Sequence, residues 1–427
     1  MKPRVFRDPV HGLIGFGGKD AKLSRILDTR AVQRLRKVRQ MGFAWLVYPG
    51  AEHSRFGHAM GAFHVAGRVT THLGLSEDVA RDVKAAALLH DLGHGPFSHA
   101  WEVALGGDSH EDWGRRIVLE DDELRAALCE VSEALPSALD DIFRQVYRPQ
   151  VARKLVSSQL DVDRMDYLLR DAHYSGVGYS TFDLEWVIHA LGVQPVRGGA
   201  DPNDLVIDFR RGMHAVEQYL FGRSYMYAQV YYHKTVRAAE WMFLALMRRF
   251  AELCRAGDDP PGLAVVASLA RGERISVEDY LTLDDARVAC AMDDWARGGV
   301  DPILADLAAR LSRRRLFKTI EAGEDPAVAD RLAPALEEAA RRAMGSRASY
   351  YWSIDRAERL GYAARPGEEI FVVGHPRHGT VNLGELVREM PLGRQAFTVR
   401  VVCAPELLEA FTRVVGARMS DSRPRTE

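Results

Sequence analysis

The amino-acid sequence predicts a mainly α protein with a small C-terminal α/β appendage. Two observations predict it. Apolar residues recur three and four positions apart through most of the chain, and sustained β-branched runs come late, from Gly367 onward. The first helix is expected over DTRAVQRLRKVRQMG (Asp28–Gly42), where Val32, Leu35, Val38 and Met41 stand three apart. Its outer face is basic and Gly42 is a C-cap. Ser76, followed by Glu77 and Asp78, reads as an N-cap with acids in the first turn. The helix it opens carries Val79, Val83, Ala86 and His90 on one stripe and stops before Gly93. Further helices are expected over Ser157–Ala172 (ahead of a break at Gly176 and Gly178), Met213–Arg255 with a break inside, Asp301–Leu316, and Pro326–Met344. GEEIFVVG (Gly367–Gly374) and FTVRVVCA (Phe397–Ala404) are the strands, HPRHGTVNLGE reads as turns, and PELLEAFTRVV is a closing helix. The expected organisation is a helical body over 1–317, the appendage over 318–419 and a frayed tail over 420–427.

Composition narrows the function classes. The chain has 427 residues, 47% apolar and 27% charged, with a formal net charge of −2. That is an ordinary globular balance, which excludes a disordered chain or a coiled coil. It also removes the overall basic excess of a protein that coats nucleic acid, while leaving room for a local basic patch. Cys129, Cys254, Cys290 and Cys403 are far apart and form no CxxC pair, which argues against a zinc ribbon or a disulfide framework. The N-terminus, MKPRVFRDPVHGLIGF, has no apolar signal core, and no apolar run approaches the roughly 18 residues of a membrane span. A soluble, cytoplasmic protein with no membrane partner is expected. Of fifteen histidines, eight fall between His53 and His110. Histidine is both the usual acid-base near neutral pH and a common metal ligand, so chemistry is sought there first.

Three separated pieces can assemble one metal site. They are His53-Ser-Arg-Phe-Gly-His58, His90-Asp91-Leu-Gly-His94-Gly-Pro-Phe-Ser-His99, and Asp161-Val-Asp163-Arg164-Met-Asp166-Tyr167-Leu-Leu-Arg-Asp171. An adjacent His-Asp pair at a helix end offers an imidazole and a carboxylate to one side of the turn. A further His and a further Asp complete a mixed nitrogen and oxygen set. Such a set suits Mn, Fe, Co, Ni or Zn better than Ca, and it leaves positions open for water and a phosphate oxygen. Asp163, Tyr167 and Asp171 recur every four residues and so share a helix face.

In its longer motifs the chain resembles the HD-domain phosphohydrolases and, within them, the deoxynucleoside triphosphate triphosphohydrolase branch. The resemblance runs in order through FRDPVHGLI, DTRAVQRLRKVRQMG, YPGAEHSRFGHAMG, ALLHDLGHGPFSH, SHEDWG, DVDRMDYLLRD, YYHK and RRRLFK, covering about the first 320 residues. It implies an HD-domain helical core with metal ligands at His58, His90, Asp91 and Asp163. It implies a catalytic relay at His94, His110 and Glu102, and His99 as the group that protonates the leaving 5′ oxygen. Glu102 stands where mammalian members have a shorter Asp. Tyr167 and Asp171 would approach the sugar, Arg55, Arg164 and Arg223 the triphosphate, Gln40 and Met41 the deoxyribose, and Tyr231 would stack on the sugar. Tyr232 replaces a glutamine of the mammalian members.

A second group, Val5, Asp28, Gln33, Arg36, Arg314 and Lys318, matches residues that bind an activating guanine nucleotide between subunits. The alternative for that group is a salt-bridged helix–helix contact. The reaction so implied is dNTP hydrolysis to deoxynucleoside and triphosphate by a divalent transition metal, with Mg on the substrate phosphates. Activation by GTP or a dNTP and a homo-oligomer, dimer or tetramer, accompany it. Two other functions stay open. One is a phosphodiesterase or 5′-nucleotidase using the same metal chemistry. The other is a non-catalytic nucleotide sensor, or a single-strand nucleic-acid binder working through the basic faces at Arg34–Arg39 and Arg313–Arg315.

Overall fold

A computed structural model describes residues 3–196, 203–359, 369–389 and 396–421. Helices dominate, and their buried faces merge into one core running from Ile14 to Val415. The helix Arg55–His72 is the central element. It packs along Glu77–Leu89 on one side and Val162–Ser175 on the other, which brings the three motif pieces to one place. The mainly α fold is as the sequence predicts, and several of the expected helices stand where the sequence puts them, although the central Arg55–His72 is not among those expected. Glu77–Leu89 follows the Ser76 cap, Phe209–Met226 and Lys234–Arg255 flank the expected break, and Pro302–Ser312 and Ala327–Met344 lie inside their predicted spans.

Three local expectations are corrected. The helix expected over Asp28–Gly42 runs only from Arg30 to Arg34 and ends in a 3₁₀ turn, Leu35–Lys37. Tertiary hydrogen bonds override the periodicity beyond that point. The Arg39 N–H donates to the Asp285 carboxylate at 3.0 Å, and Arg55 N–H to the Val38 carbonyl at 2.9 Å. Arg34, expected on an exposed basic face, is buried and donates to the carbonyls of Leu283, Leu92 and His94 at 2.6, 3.2 and 2.7 Å. The helix expected from Ser157 starts instead at Val162, because the Asp161 side chain accepts the Arg164 N–H at 2.7 Å and caps it there. Last, HPRHGTVNLGE is not all turns: it contains the strand Gly379–Asn382 and starts the helix Leu383–Glu389.

The β structure is more dispersed than the late β-branched runs suggest. An N-terminal hairpin pairs Arg4–Asp8 with Gly12–Phe16. Lys318–Gly323, Ala396–Cys403 and Trp352–Arg359 form an antiparallel sheet built wholly from residues after 317. A four-stranded sheet joins Leu191–Gln194 and Asp204–Asp208 to Phe371–His375 and Gly379–Asn382, with Asp204–Asp208 and Phe371–His375 parallel. Lys154 fastens this junction from the helix Gln150–Val156. Its ammonium donates to Asp204 at 2.8 Å and also to the Glu369 carbonyl, with both charged groups buried. Gly367 and Glu368 of the first predicted strand, and 422–427 of the expected tail, lie outside the described residues. Among the described residues, no helix is long and apolar enough to cross a membrane.

Candidate active site

The centre is built from three helix ends. His58 sits one turn into Arg55–His72, His90 and Asp91 follow directly on Glu77–Leu89, and Asp163 is the second residue of Val162–Ser175. Nε2 of His58 lies 3.2 Å from Nε2 of His90, 3.0 Å from Oδ1 of Asp163 and 3.7 Å from Oδ2 of Asp91. Nε2 of His90 lies 3.3 Å from Asp91 and 3.5 Å from Asp163. All four ligands expected from the resemblance therefore converge.

The far side of each imidazole fixes its tautomer. Nδ1 of His58 donates to Asp166 at 2.8 Å, and Nδ1 of His90 to the Ala87 carbonyl at 2.9 Å. Both partners only accept, so both rings carry their proton on Nδ1 and aim Nε2 lone pairs at the same point. Two lone pairs and two carboxylates facing one another in a buried space need a cation, and this donor set fits a divalent transition metal. Without one, a proton fills the gap. Burial opposes the charged form of His58, but Asp163, Asp166 and Asp91 outweigh it and push its pKa up to about 10. His90 is raised by the same carboxylates, and the two imidazoles hold Asp163 well below the ordinary carboxylate range despite its burial.

Beside the centre, His94 places Nε2 3.3 Å from Asp91 and Nδ1 3.5 Å from Glu102. His110 stacks on His94 with ring centroids 4.0 Å apart, and its Nδ1 lies 2.9 Å from Glu102. The longer arm of Glu102 thus reaches the pair. Burial and the neighbouring Arg55 charge push His94 down to about 3, so its ring is neutral. The Glu102 carboxylate raises His110 against the effect of burial. His99 stands at the rim with 75% of its side chain exposed.

Some of the expected substrate residues stand beside the centre, and several are engaged with protein partners. Tyr167 sets its ring 6.3 Å from His58 and 6.4 Å from Tyr231. Tyr231 ends a π turn, Tyr227–Tyr231, and donates its hydroxyl to Asp171 at 2.7 Å. Met41 is buried, and Gln40 leaves its side-chain oxygen buried without a partner among the described residues. Arg223 donates to the Gln159 side chain at 2.7 Å. Arg55 is buried, bonded to Asp91 at 2.6 Å and to the Ser98 hydroxyl at 2.8 Å, and Arg164 is held by Asp161.

Val5, Asp28, Gln33 and Arg36 belong to one neighbourhood. Arg4, next to Val5, bridges Asp28 at 2.7 Å, and Arg36 donates to Gln33 at 2.9 Å. Arg314 donates instead to the Leu46 carbonyl at 2.9 Å, and Lys318 opens a strand. Among the described residues, no hydrogen bond or ion pair joins these two to the first four.

Sequence reasoning missed the supports. Asp166 accepts from His58, from His11 at 2.6 Å and from Arg170 at 2.9 and 3.0 Å. His53 donates to Asp171 at 2.7 Å while stacking on Tyr174. The i, i+4 spacing of Asp166 and Arg170 was the available signal.

Residues 55–171 match the HD domain family model, and residues 198–259 match the HD-associated region. The protein YwfO of Bacillus subtilis (strain 168), itself uncharacterised, is 36% identical over 375 residues, covering 86% of this chain and 82% of that one. The chain belongs to the HD-domain phosphohydrolase family. Like other HD-domain phosphohydrolases it carries the His/Asp cluster of a metal-dependent hydrolase. A phosphohydrolase from Bacteroides thetaiotaomicron VPI-5482 has the same fold, with a TM-score of 0.79 at 29% identity, covering 94% of this chain and all of that one. The core also resembles that of the human deoxynucleoside triphosphate triphosphohydrolase SAMHD1, 32% identical over 221 residues. That match spans 43% of this chain and 35% of the human protein, about a third of its length.

Proposed function

We propose that this phosphohydrolase cleaves deoxynucleoside triphosphates to a deoxynucleoside and inorganic triphosphate. The reading rests on one observation above all: the metal-ligand set continues without a gap into a proton path. Asp91 touches His58 and His90 on one side and His94 on the other, and His94 leads to Glu102 and His110. His58, His90, Asp91 and Asp163 would hold a divalent transition metal, with Mg on the substrate phosphates. Such a metal supplies Lewis acidity, making water a better nucleophile and drawing charge from a phosphoryl oxygen.

The side chains do the rest. Neutral His94 accepts the proton of the water whose oxygen bonds to the α-phosphorus, and Glu102 with His110 takes up the charge this creates. The bond from phosphorus to the 5′ oxygen breaks, His99 gives that oxygen a proton, and triphosphate leaves intact. Arg55, Arg164 and Arg223 exchange their protein acceptors for phosphate oxygens. Tyr167, Tyr231 and Asp171 face the sugar, with Gln40 and Met41 crowding C2′. Activation by GTP or a dNTP at Val5, Asp28, Gln33 and Arg36, completed by Arg314 and Lys318 of another subunit in a homo-oligomer, belongs to the same reading.

The commitment of buried Arg55 to Asp91 favours one second reading, a phosphodiesterase or 5′-nucleotidase that needs no triphosphate clamp. Product analysis separates the two. Metal-loaded protein is incubated with each dNTP, with and without GTP, and resolved by ion exchange. Nucleoside plus intact triphosphate supports the first reading, whereas monophosphate or free phosphate supports the second. His90→Ala should lose turnover while keeping the fold. Full activity in that variant would refute the site.

A further inference from the structure

Next to the metal centre, four side chains form a second donor set. His99 and Glu102 lie three apart on the helix His99–Leu105 and share its face; His94 precedes that helix and His110 opens the next. Measured from Oε1 of Glu102, Nδ1 of His110 lies at 2.9 Å, Nδ1 of His94 at 3.5 Å and Nδ1 of His99 at 3.8 Å. These separations bracket the edge, about 3.3 Å, of a tetrahedron whose metal–ligand bonds are about 2.0 Å. Three of the four atoms (Nδ1 of His94, Nδ1 of His110 and Oε1 of Glu102) are buried and make no well-formed hydrogen bond among the described residues. Interior polar atoms are nearly always satisfied, so three orphans aimed at one another call for a missing partner. A proton shared by Glu102 and His110 would serve two of them. A cation serves all three.

We propose that His94, His99, Glu102 and His110 form a second divalent-cation site of the nitrogen-rich, zinc-accepting class. His99, exposed at the rim with Nδ1 3.8 Å from Glu102, is the fourth ligand that closes the set. Three histidines and a carboxylate fill a tetrahedral ion completely, so this cation has no position left for substrate. It is a controlling ion. The same side chains move protons in the reaction proposed above, so a cation bound there shuts the relay.

The test counts metal. Full-length protein stripped of metal is titrated with Zn(II) or Co(II), desalted, and measured for bound metal per chain, with the visible absorption of Co(II) reporting geometry. Wild type should bind two equivalents, Glu102→Gln one, and His58→Ala one, the last keeping the tetrahedral cobalt spectrum. A single equivalent in wild type that Glu102→Gln leaves in place would overturn the site. Should Glu102→Gln fail to fold, the wild-type cobalt titration decides alone: a second, tetrahedral equivalent supports the site and its absence refutes it. The count needs no nucleotide, so it can fail while the triphosphohydrolase reading holds, and hold while that reading fails.

Discussion

Asp166 holds His58 from behind: its carboxylate accepts the Nδ1 proton of His58 at 2.8 Å while Arg170 and His11 grip the same carboxylate. A ligand imidazole thus gains a fixed tautomer and orientation from a residue that never meets the metal. Asp166→Asn keeps the size but cannot serve all of these donors. Metal affinity should fall about 10–100-fold, as measured by competition with a chelator. An unchanged affinity would show that His58 is oriented by packing alone.

Gly93 marks a close approach of two backbones. A Cβ there would meet the His110 carbonyl oxygen at 1.9 Å and the Gly114 nitrogen at 2.4 Å. Backbone atoms cannot swing aside, so the helix His110–Glu120 would have to shift and carry His110 off His94. Gly93→Ala should cost about 1–3 kcal/mol or more in stability. Gly178→Ala, with nothing within 4 Å of its Cβ, should be close to neutral. Thermal melts of the pair check the contrast.

His64 should make the protein acid-sensitive. Burial, with His11 and Arg68 nearby, lowers its pKa to about 4, with Asp8 and Asp166 opposing. The unfolded chain takes up this proton near the ordinary value of about 6.5, while the folded chain resists it until about 4. Stability is therefore complete above the unfolded value and is lost progressively as pH falls from about 6.5 to about 4. His64→Gln should flatten that part of the stability–pH curve in denaturant titrations. An identical slope in the variant would assign the acid sensitivity elsewhere.

Removing Lys154 should unfasten the four-stranded sheet. Lys154→Met leaves Asp204 buried without its cation, which should destabilise the fold by about 3–5 kcal/mol. The double variant Lys154→Met/Asp204→Leu should recover much of the loss. Urea unfolding of the single and double variants measures both.

Sequence legibility followed local spacing. His58, His90, Asp91 and Asp163 stand in short motifs that the family resemblance singles out as ligands, so their convergence could be expected before any fold was known. Asp166, Arg170, His11 and His53 could not be picked out in the same way, because their roles depend on what packs behind the ligands. Asp166 and Arg170 lie on the same helix face as Asp163, Tyr167 and Asp171, and periodicity alone does not say which of these side chains meet the metal and which pack behind its ligands. Leu191–Gln194 and Gly379–Asn382 are too short for alternation to register, and the parallel pairing of Asp204–Asp208 with Phe371–His375 that joins them in one sheet spans a long stretch of chain. The 28–42 helix failed for a related reason. Its apolar spacing was real, but partners as distant as Leu283 and Asp285 take its polar groups.

The parallel pairing of Asp204–Asp208 with Phe371–His375 has a consequence for biosynthesis. When the ribosome has made every motif of the metal centre and the Asp204–Asp208 strand, one edge of that strand still awaits Phe371–His375 and the ammonium of Lys154 still awaits the Glu369 carbonyl, far downstream. The nascent catalytic body therefore waits with an open seam, exposed to mispairing and to chaperones, until the last part of the chain emerges to close it.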